Sequence, residues 1–307
     1  MLPAEAATPY AHDGGDVGVL LCHGLTGTPQ SLRPWAEHLA AAGYTVRLPL
    51  LPGHGTRWQD ANRTTFADWL ATVTASLAEL SGRCRSVVVA GLSMGGTLTL
   101  RLAQLHPEAI AGIVLVNPSI LSLRKDIRLL PLIKYLMPSQ GGIASDIADP
   151  QAHEDGYART PLKAVDSLRR AWKVVRAELP AVRMPVLLLH SAVDHVVEPE
   201  NSRVVLAEIG STDVTEVVLQ RSYHVATLDY DAPEIFARSV EFIRRVTGQS
   251  GDGAADATPV PEGALPAPVH GTDGDGAAAA TPVPAAASHA AASDLAASDP
   301  PAQAAQP

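Results

Sequence analysis

The 307-residue sequence has only two cysteines, Cys22 and Cys84. They share no CxxC or zinc-ligand spacing, and each adjoins an apolar run, so both are read as small buried hydrophobes. No stretch reaches the ~18 to 20 consecutive apolar residues of a membrane span. The opening MLPAEAATPYAHDGGD has no basic region followed by an apolar stretch. No signal peptide is therefore expected, and the expected location is the cytoplasm. After Gly248 there is no Lys, no Arg and no aromatic residue, only seven acids in an Ala, Pro, Gly, Asp, Ser and Thr background. Such a composition cannot bury enough surface to offset its ordering entropy, so residues 249–307 are expected to form a disordered tail. The formal net charge is −9, but without the tail 25 acids face 23 bases. A near-neutral body with an acidic tail argues against nucleic acid as a partner.

What is present is an alternation of short apolar runs and longer helical patterns. VGVLLC (17–22), TVRLPLL (45–51), SVVVAG (86–91), AGIVLVNP (111–118), PVLLLHS (185–191) and VTEVVL (214–219) read as strands. Runs that are apolar throughout suit a parallel sheet covered on both faces. Helical patterns follow at 31–44, 65–80, 95–106, 199–210 and 233–248. The one at 65–80 gathers Phe66, Trp69, Leu70, Val73 and Leu77 on one face. Strand–helix alternation predicts an α/β fold. The rhythm breaks over residues 119–182, which carry two helical patterns, the first with a helix-bending Pro131, and no good strand. This segment is read as a cap inserted over the sheet's C-terminal edge, where open α/β sheets place their sites. The expected organisation is a core of residues 1–118 and 183–248, the cap, and the tail.

Gly91-Leu92-Ser93-Met94-Gly95 fits G-x-S-x-G between a strand and a helix. A turn this tight leaves no room for side chains at 91 and 95. It lifts the serine hydroxyl above the sheet, at the positive end of the next helix. A serine hydroxyl is a weak nucleophile and needs a base, which in turn needs an orienting acid. In chain order after such a serine these are an acid and then a histidine. Asp194 follows one strand end and His224 follows the last, which puts them at the same sheet edge as Ser93. His195 follows no later strand, and His190 lies within a strand as a packed core histidine. Asp229 and Asp231 are read as caps of the final helix, and Glu198 and Glu200 as acids at a helix start. The developing oxyanion needs two donors. The backbone N–H groups of Met94 and of Leu25, in the loop CHGLTGTPQS, are the candidates. His23 and His54 are read as holding that loop and the PGHGT turn.

HGLTGTPQSLRPWAEHLAAAGYTV, GLSMGG, DHVVEPENS and SYHVATLDYD together resemble the bacterial monoacylglycerol lipases. These are a branch of the α/β-hydrolase superfamily near the small bacterial carboxylesterases. The resemblance spans about Gly18 to Gly248, and SYHVATLDYD is its most specific element. It implies an α/β-hydrolase fold, a mostly parallel sheet flanked by helices with an inserted helical cap. It maps the nucleophile to Ser93, the acid to Asp194, the base to His224 and the oxyanion donors to Leu25 and Met94. The family commonly has phenylalanine where this chain has Leu25. The cap stretch GGIASDIADPQAHEDGYARTP places the family's tunnel-gating isoleucine at Ile143 and its glycerol-binding carboxylate at Glu154, with Asp155 one position away.

The function expected from this resemblance is hydrolysis of monoacylglycerols through an acyl-enzyme, with no metal and no organic cofactor. The alternatives are a broad carboxylesterase, an acyltransferase, or an idle hydrolase fold that binds a ligand. The expected partner is a lipid-ester substrate. Transient contact of the cap with a membrane surface is the most that is expected there, and the chain is expected as a monomer or homodimer.

Overall fold

The computed structural model describes residues 2–142 and 145–248. Ile143 and the tail expected at 249–307 lie outside the described residues. In chain order the elements are β1 (Tyr10–His12), β2 (Val17–Cys22), α1 (Arg33–Ala41), β3 (Thr45–Leu48), the single turn α2 (Trp58–Ala61), α3 (Phe66–Ser81), β4 (Ser86–Leu92), α4 (Met94–Leu105) and β5 (Gly112–Val116). Then come α5 (Leu130–Leu136), β6 (Ser139–Gly141), β7 (Arg159–Pro161), α6 (Leu162–Ala177), β8 (Val186–Ser191), α7 (Glu200–Glu208), β9 (Val214–Leu219) and α8 (Ala232–Thr247).

Seven strands form one sheet in the order β1-β3-β2-β4-β5-β8-β9. Only β1 runs antiparallel, pairing Ala11 with Arg47 of β3. All other neighbours are parallel, with Leu21 opposite Ala90 and Gly91 opposite Leu115. This is the mostly parallel α/β-hydrolase sheet. Alternate residues of each strand feed opposite layers, as the two-residue strand period requires. Leu20, Val87 and Val89 pack toward α3, α4 and α6. Leu21, Val88 and Ala90 pack toward α1 and α8. With both faces covered, the strands read as unbroken apolar runs.

The helix at 65–80 is observed as α3, and Phe66, Trp69, Val73 and Leu77 are buried as the periodicity predicts. Its start is fixed by Thr65, whose N–H donates to the Asp68 carboxylate at 2.8 Å. The helix expected from Ser31 begins instead at Arg33, after a 3₁₀ turn at Pro29–Leu32 that Thr28 caps through Gln30 N–H.

Two expectations for residues 119–182 are corrected. The segment does contain strands: β6 and β7 pair antiparallel, three residues each. Runs so short carry no readable alternation. Pro131 does not bend a helix; it lies in the first turn of α5. Proline is well tolerated there because its missing N–H would have no intrahelical partner. Among the described residues no helix is long and apolar enough to cross a membrane.

Candidate active site

The site is built from strand ends. β4 stops at Leu92 and α4 starts at Met94, leaving Ser93 alone in the turn with φ 58° and ψ −119°. A non-glycine residue in this region carries about 1–3 kcal/mol of strain, which the surrounding structure must enforce. The enforcement is visible. Ser93 N–H donates to Val116 O at 3.0 Å, and Ser93 O accepts from the N–H groups of Gly96 at 2.9 Å and Ser119 at 3.2 Å. A Cβ on Gly91 would lie 2.3 Å from the Gly95 backbone, and one on Gly95 would lie 1.8 Å from Cys22 O. The glycines flanking Ser93 are thus required by backbone crossing at van der Waals contact.

The loop after β2 passes beside the serine. A Cβ on Gly24 would stand 3.7 Å from Ser93 Cβ. Among the described residues the N–H groups of Leu25 and Met94 donate to no other group. As the first residue of α4, Met94 also sits at the positive end of the helix dipole. His23 and His54 hold this loop. His23 Nδ1 donates to Gly24 O at 2.9 Å, and Leu51 N–H donates to His23 Nε2 at 3.2 Å. His54 Nε2 lies 2.6 Å from Leu25 O. Burial, reinforced by His54, pushes the His23 pKa down to about 3, and burial lowers that of His54 as well. The His23 ring is a neutral strut, and His54 bridges the Pro52 and Leu25 carbonyls at 3.1 and 2.6 Å.

Asp194, beyond β8, and His224, beyond β9, meet at Nδ1···Oδ2 2.8 Å. Asp194 Oδ1 accepts from the N–H groups of Val196 and Val197, both at 2.8 Å, which aims the other oxygen at the ring. Burial opposes ionisation of Asp194, but the His224 charge and hydrogen bond outweigh it and hold the carboxyl below its usual range. Burial likewise opposes the imidazolium, and the carboxylates of Asp194, Glu154 and Asp146 raise the His224 pKa above 6.5. Ser93, Asp194, His224 and Leu25 line one cavity of about 500 Å³. No hydrogen bond joins the Ser93 hydroxyl to the His224 ring here, as is common before substrate binds.

Glu154 lines the same cavity. Its Oε1 would be 2.6 Å from a Cβ on Gly27, so the carboxylate lies against the loop that carries Leu25. Its carboxylate oxygens accept no hydrogen bond from the described residues. Burial raises its pKa, partly offset by His224. Asp155 points elsewhere: its carboxylate is 3.5 Å from His153 Nε2. The cavity is also lined by Ile127, Leu130, Ile133, Leu162, Leu168 and Trp172 from α5, α6 and the segment before them.

Several rival residues have different roles from those expected. His190 is not a core histidine; its Nε2 is 2.8 Å from Glu216 Oε1 on the edge strand. Glu198 accepts from Leu123 N–H at 3.0 Å and from Ser122, tying the acid-bearing loop to the segment after β5. Asp231 is the N-cap residue of α8 and its backbone oxygen accepts from Ile235 N–H at 3.1 Å, but neither its side chain nor that of Asp229 caps the helix. Asp231 pairs with Arg221, and Asp229 accepts from the N–H groups of Ala148, Asp149 and Tyr223. Sequence reasoning also missed Asn117. It sits at φ 44° at the end of β5, donates to His224 O at 2.9 Å and accepts from Ser191 N–H at 2.8 Å. An asparagine directly after an apolar strand was the available signal, since asparagine tolerates the left-handed region. Among the described residues no three His, Cys, Asp or Glu side chains gather as a metal site.

Comparison with known proteins agrees with this architecture. The model of the family described as serine aminopeptidase, S33 (Hydrolase_4) matches residues 16–231. A thermostable monoacylglycerol lipase of Bacillus sp. (strain H-257) is 45% identical over 251 residues, 80% of this chain and 97% of the relative. A carboxylesterase of Bacillus subtilis (strain 168) is 24% identical over 78% of this chain and 96% of its own. A solved structure from work on two metagenome-derived lipolytic enzymes, LipS and LipT, aligns with a TM-score of 0.76 at 40% identity, covering 78% of this chain and 98% of that one.

Proposed function

This chain belongs to the serine aminopeptidase (S33) family of α/β-hydrolases, and from that premise we propose that it hydrolyses monoacylglycerols to glycerol and fatty acid. The name of the 45% identical relative supports an ester substrate of this kind. The observation that carries the reading is the polarity of the cavity. The Glu154 carboxylate, which accepts no hydrogen bond from the described residues, lines the same cavity as the apolar side chains of α5 and α6. A molecule with a polyol at one end and an alkyl chain at the other matches both. Each methylene buried in the apolar part contributes about 0.8 kcal/mol, so ten contribute about 8 kcal/mol before binding costs.

In this reading Ser93 Oγ attacks the ester carbonyl carbon and His224 Nε2 takes its proton. Asp194 keeps the other ring proton on Nδ1 and stabilises the imidazolium. The N–H groups of Leu25 and Met94 hold the oxyanion. Collapse of the tetrahedral intermediate breaks the bond to glycerol, whose oxygen receives the His224 proton. Water, activated by the same ring, then releases the acid. Residues 119–182 act as a cap. The exposed Leu129, Leu132, Tyr135 and Leu136 of that segment are where it would touch a lipid surface transiently. The location that goes with this reading is the cytoplasm, as a monomer or homodimer.

Glu154→Ala tests the substrate. A hydrogen bond to a charged acceptor is worth about 1.5–3 kcal/mol, so kcat/KM for a monoacylglycerol should fall about 10- to 100-fold. Turnover of p-nitrophenyl butyrate, which has no glycerol, should hold within about twofold. Equal monoacylglycerol turnover in variant and wild type, with the butyrate as the better substrate, would favour a broad carboxylesterase instead. The base must also be neutral to act. Since carboxylates raise the His224 pKa, kcat/KM should rise with pH through an apparent pKa above 6.5. A limb at or below that value would contradict a His224 pKa raised by its carboxylate neighbours.

A further inference from the structure

The loops that bring Asp194 and His224 together leave different strands and are 30 residues apart in sequence. A second carboxylate is bonded to both loops. Asp146 lies in the segment between β6 and β7, and its side chain is 9% exposed. Its Oδ1 accepts from His195 Nδ1 at 2.8 Å. Its Oδ2 accepts from the backbone N–H of His195 at 3.1 Å and from that of His224 at 3.2 Å. Its backbone oxygen accepts from Val225 N–H at 3.0 Å. One residue thus bonds the immediate neighbour of the acid, the backbone of the base and the residue after the base. The His195 ring is itself braced edge-on against Tyr223, centroids 4.7 Å apart.

We propose that Asp146 is a positioning residue that clamps the acid-bearing and base-bearing loops to each other and couples the segment between β6 and β7 to the geometry of the Asp194–His224 pair. The inference rests on the reading of Asp194 and His224 as acid and base. The coupling has a physical basis, because a carboxylate accepting three hydrogen bonds from two loops fixes both relative to itself, and charge-assisted bonds resist displacement more than neutral ones. Asp229 pins the same segment from the other side, through the N–H groups of Ala148 and Asp149, and holds Tyr223 N–H as well. A shift of this segment is therefore transmitted to the His224 backbone. The clamp also adds negative charge around the His224 ring. The titratable groups facing that ring are Asp194 and the adjoining His195 beyond β8, and Glu154 and Asp146 between β6 and β7.

The test uses the full chain with Asp146→Ala and Asp146→Asn. Active sites are counted by fluorophosphonate labelling, so that kcat is expressed per competent serine. With p-nitrophenyl butyrate, Asp146→Ala should lose about 10- to 100-fold in kcat per labelled site, the scale of a misplaced catalytic group, with KM within about twofold. Asp146→Asn keeps an oxygen for the two backbone N–H groups and should recover part of kcat. Both variants should move the acidic limb of kcat/KM to lower pH, because a charge that favours the imidazolium has gone. A residue that merely supports the fold would lower the number of labelled sites and leave the limb in place. If Asp146→Ala is too unstable to purify, Asp146→Asn decides alone through the limb. A wild type that labels normally beside variants with unchanged kcat per site and an unmoved limb overturns the clamp only. A wild type that fails to label overturns the underlying assignment and the clamp with it.

Discussion

Ser93→Ala is expected to reduce hydrolysis of a monoacylglycerol by about 10⁴-fold or more while leaving the fold intact. The size follows from the division of labour. In the proposed mechanism the hydroxyl supplies the bond that defines the acyl-enzyme, and neither His224 nor Asp194 can replace it. What would survive in that mechanism is the binding of substrate and the two N–H donors proposed at Leu25 and Met94, which would still favour attack by water to a small extent. Alanine at 93 adds no atom to a position already held at φ 58°. The strain is unchanged, and unfolding should shift by no more than about 1 kcal/mol. Initial rates on matched concentrations of folded protein check this. A loss below about 100-fold would mean that another group carries the chemistry.

The second large effect is structural. Gly95→Ala places a methyl carbon 1.8 Å from Cys22 O, 2.5 Å from Cys22 C and 3.1 Å from His23 O. All three are backbone atoms, so no rotamer change relieves the clash. Relief would require β2 to part from β4 at the pairing of Cys22 with Gly91, or α4 to rotate away and carry Ser93 with it. Overpacking of side chains costs about 1–3 kcal/mol. A backbone clash this deep should cost about 3 kcal/mol or more and remove activity together with stability. Gly24→Ala is the contrast. Its new carbon meets Ser93 Cβ at 3.7 Å and Leu92 O at 3.9 Å, ordinary contact distances. Its stability should change by no more than about 1 kcal/mol. Urea unfolding of the two variants tests whether backbone approach, rather than glycine flexibility as such, is what position 95 requires. Equal midpoints would refute it.

The residues that were legible from sequence are those tied to a periodic element. Val17–Cys22 and Ser86–Leu92 are buried on both faces, and no solvent-facing alternation disguised them. The elbow was legible because its glycines answer to a clash that any chain making this turn must avoid. Glu154 is singled out only by family resemblance, and spacing alone does not separate it from Asp155. What escaped sequence reasoning lies in irregular segments. β6 and β7 are three residues each, below the length at which a two-residue period can be read. Asp146, Asn117 and Asp229 act by accepting or donating hydrogen bonds across loops distant in sequence. Such partners leave no local pattern, since a buried acid bonded to backbone N–H groups looks in sequence like any loop aspartate. His190 misled for a related reason. It lies in β8 but turns toward Glu216 on the edge strand, and only the strand order reveals that neighbour.

In the proposed mechanism Ser93 is made nucleophilic by the paired His224 and Asp194. Mass spectrometry of the intact protein after brief exposure to a long-chain alkyl fluorophosphonate tests it most directly, with peptide mapping to locate the adduct. One adduct per chain, on the peptide that contains Ser93, and a much slower reaction in His224→Ala, is the predicted result. An adduct on another residue, or labelling of Ser93 at the same rate without the imidazole, would contradict it.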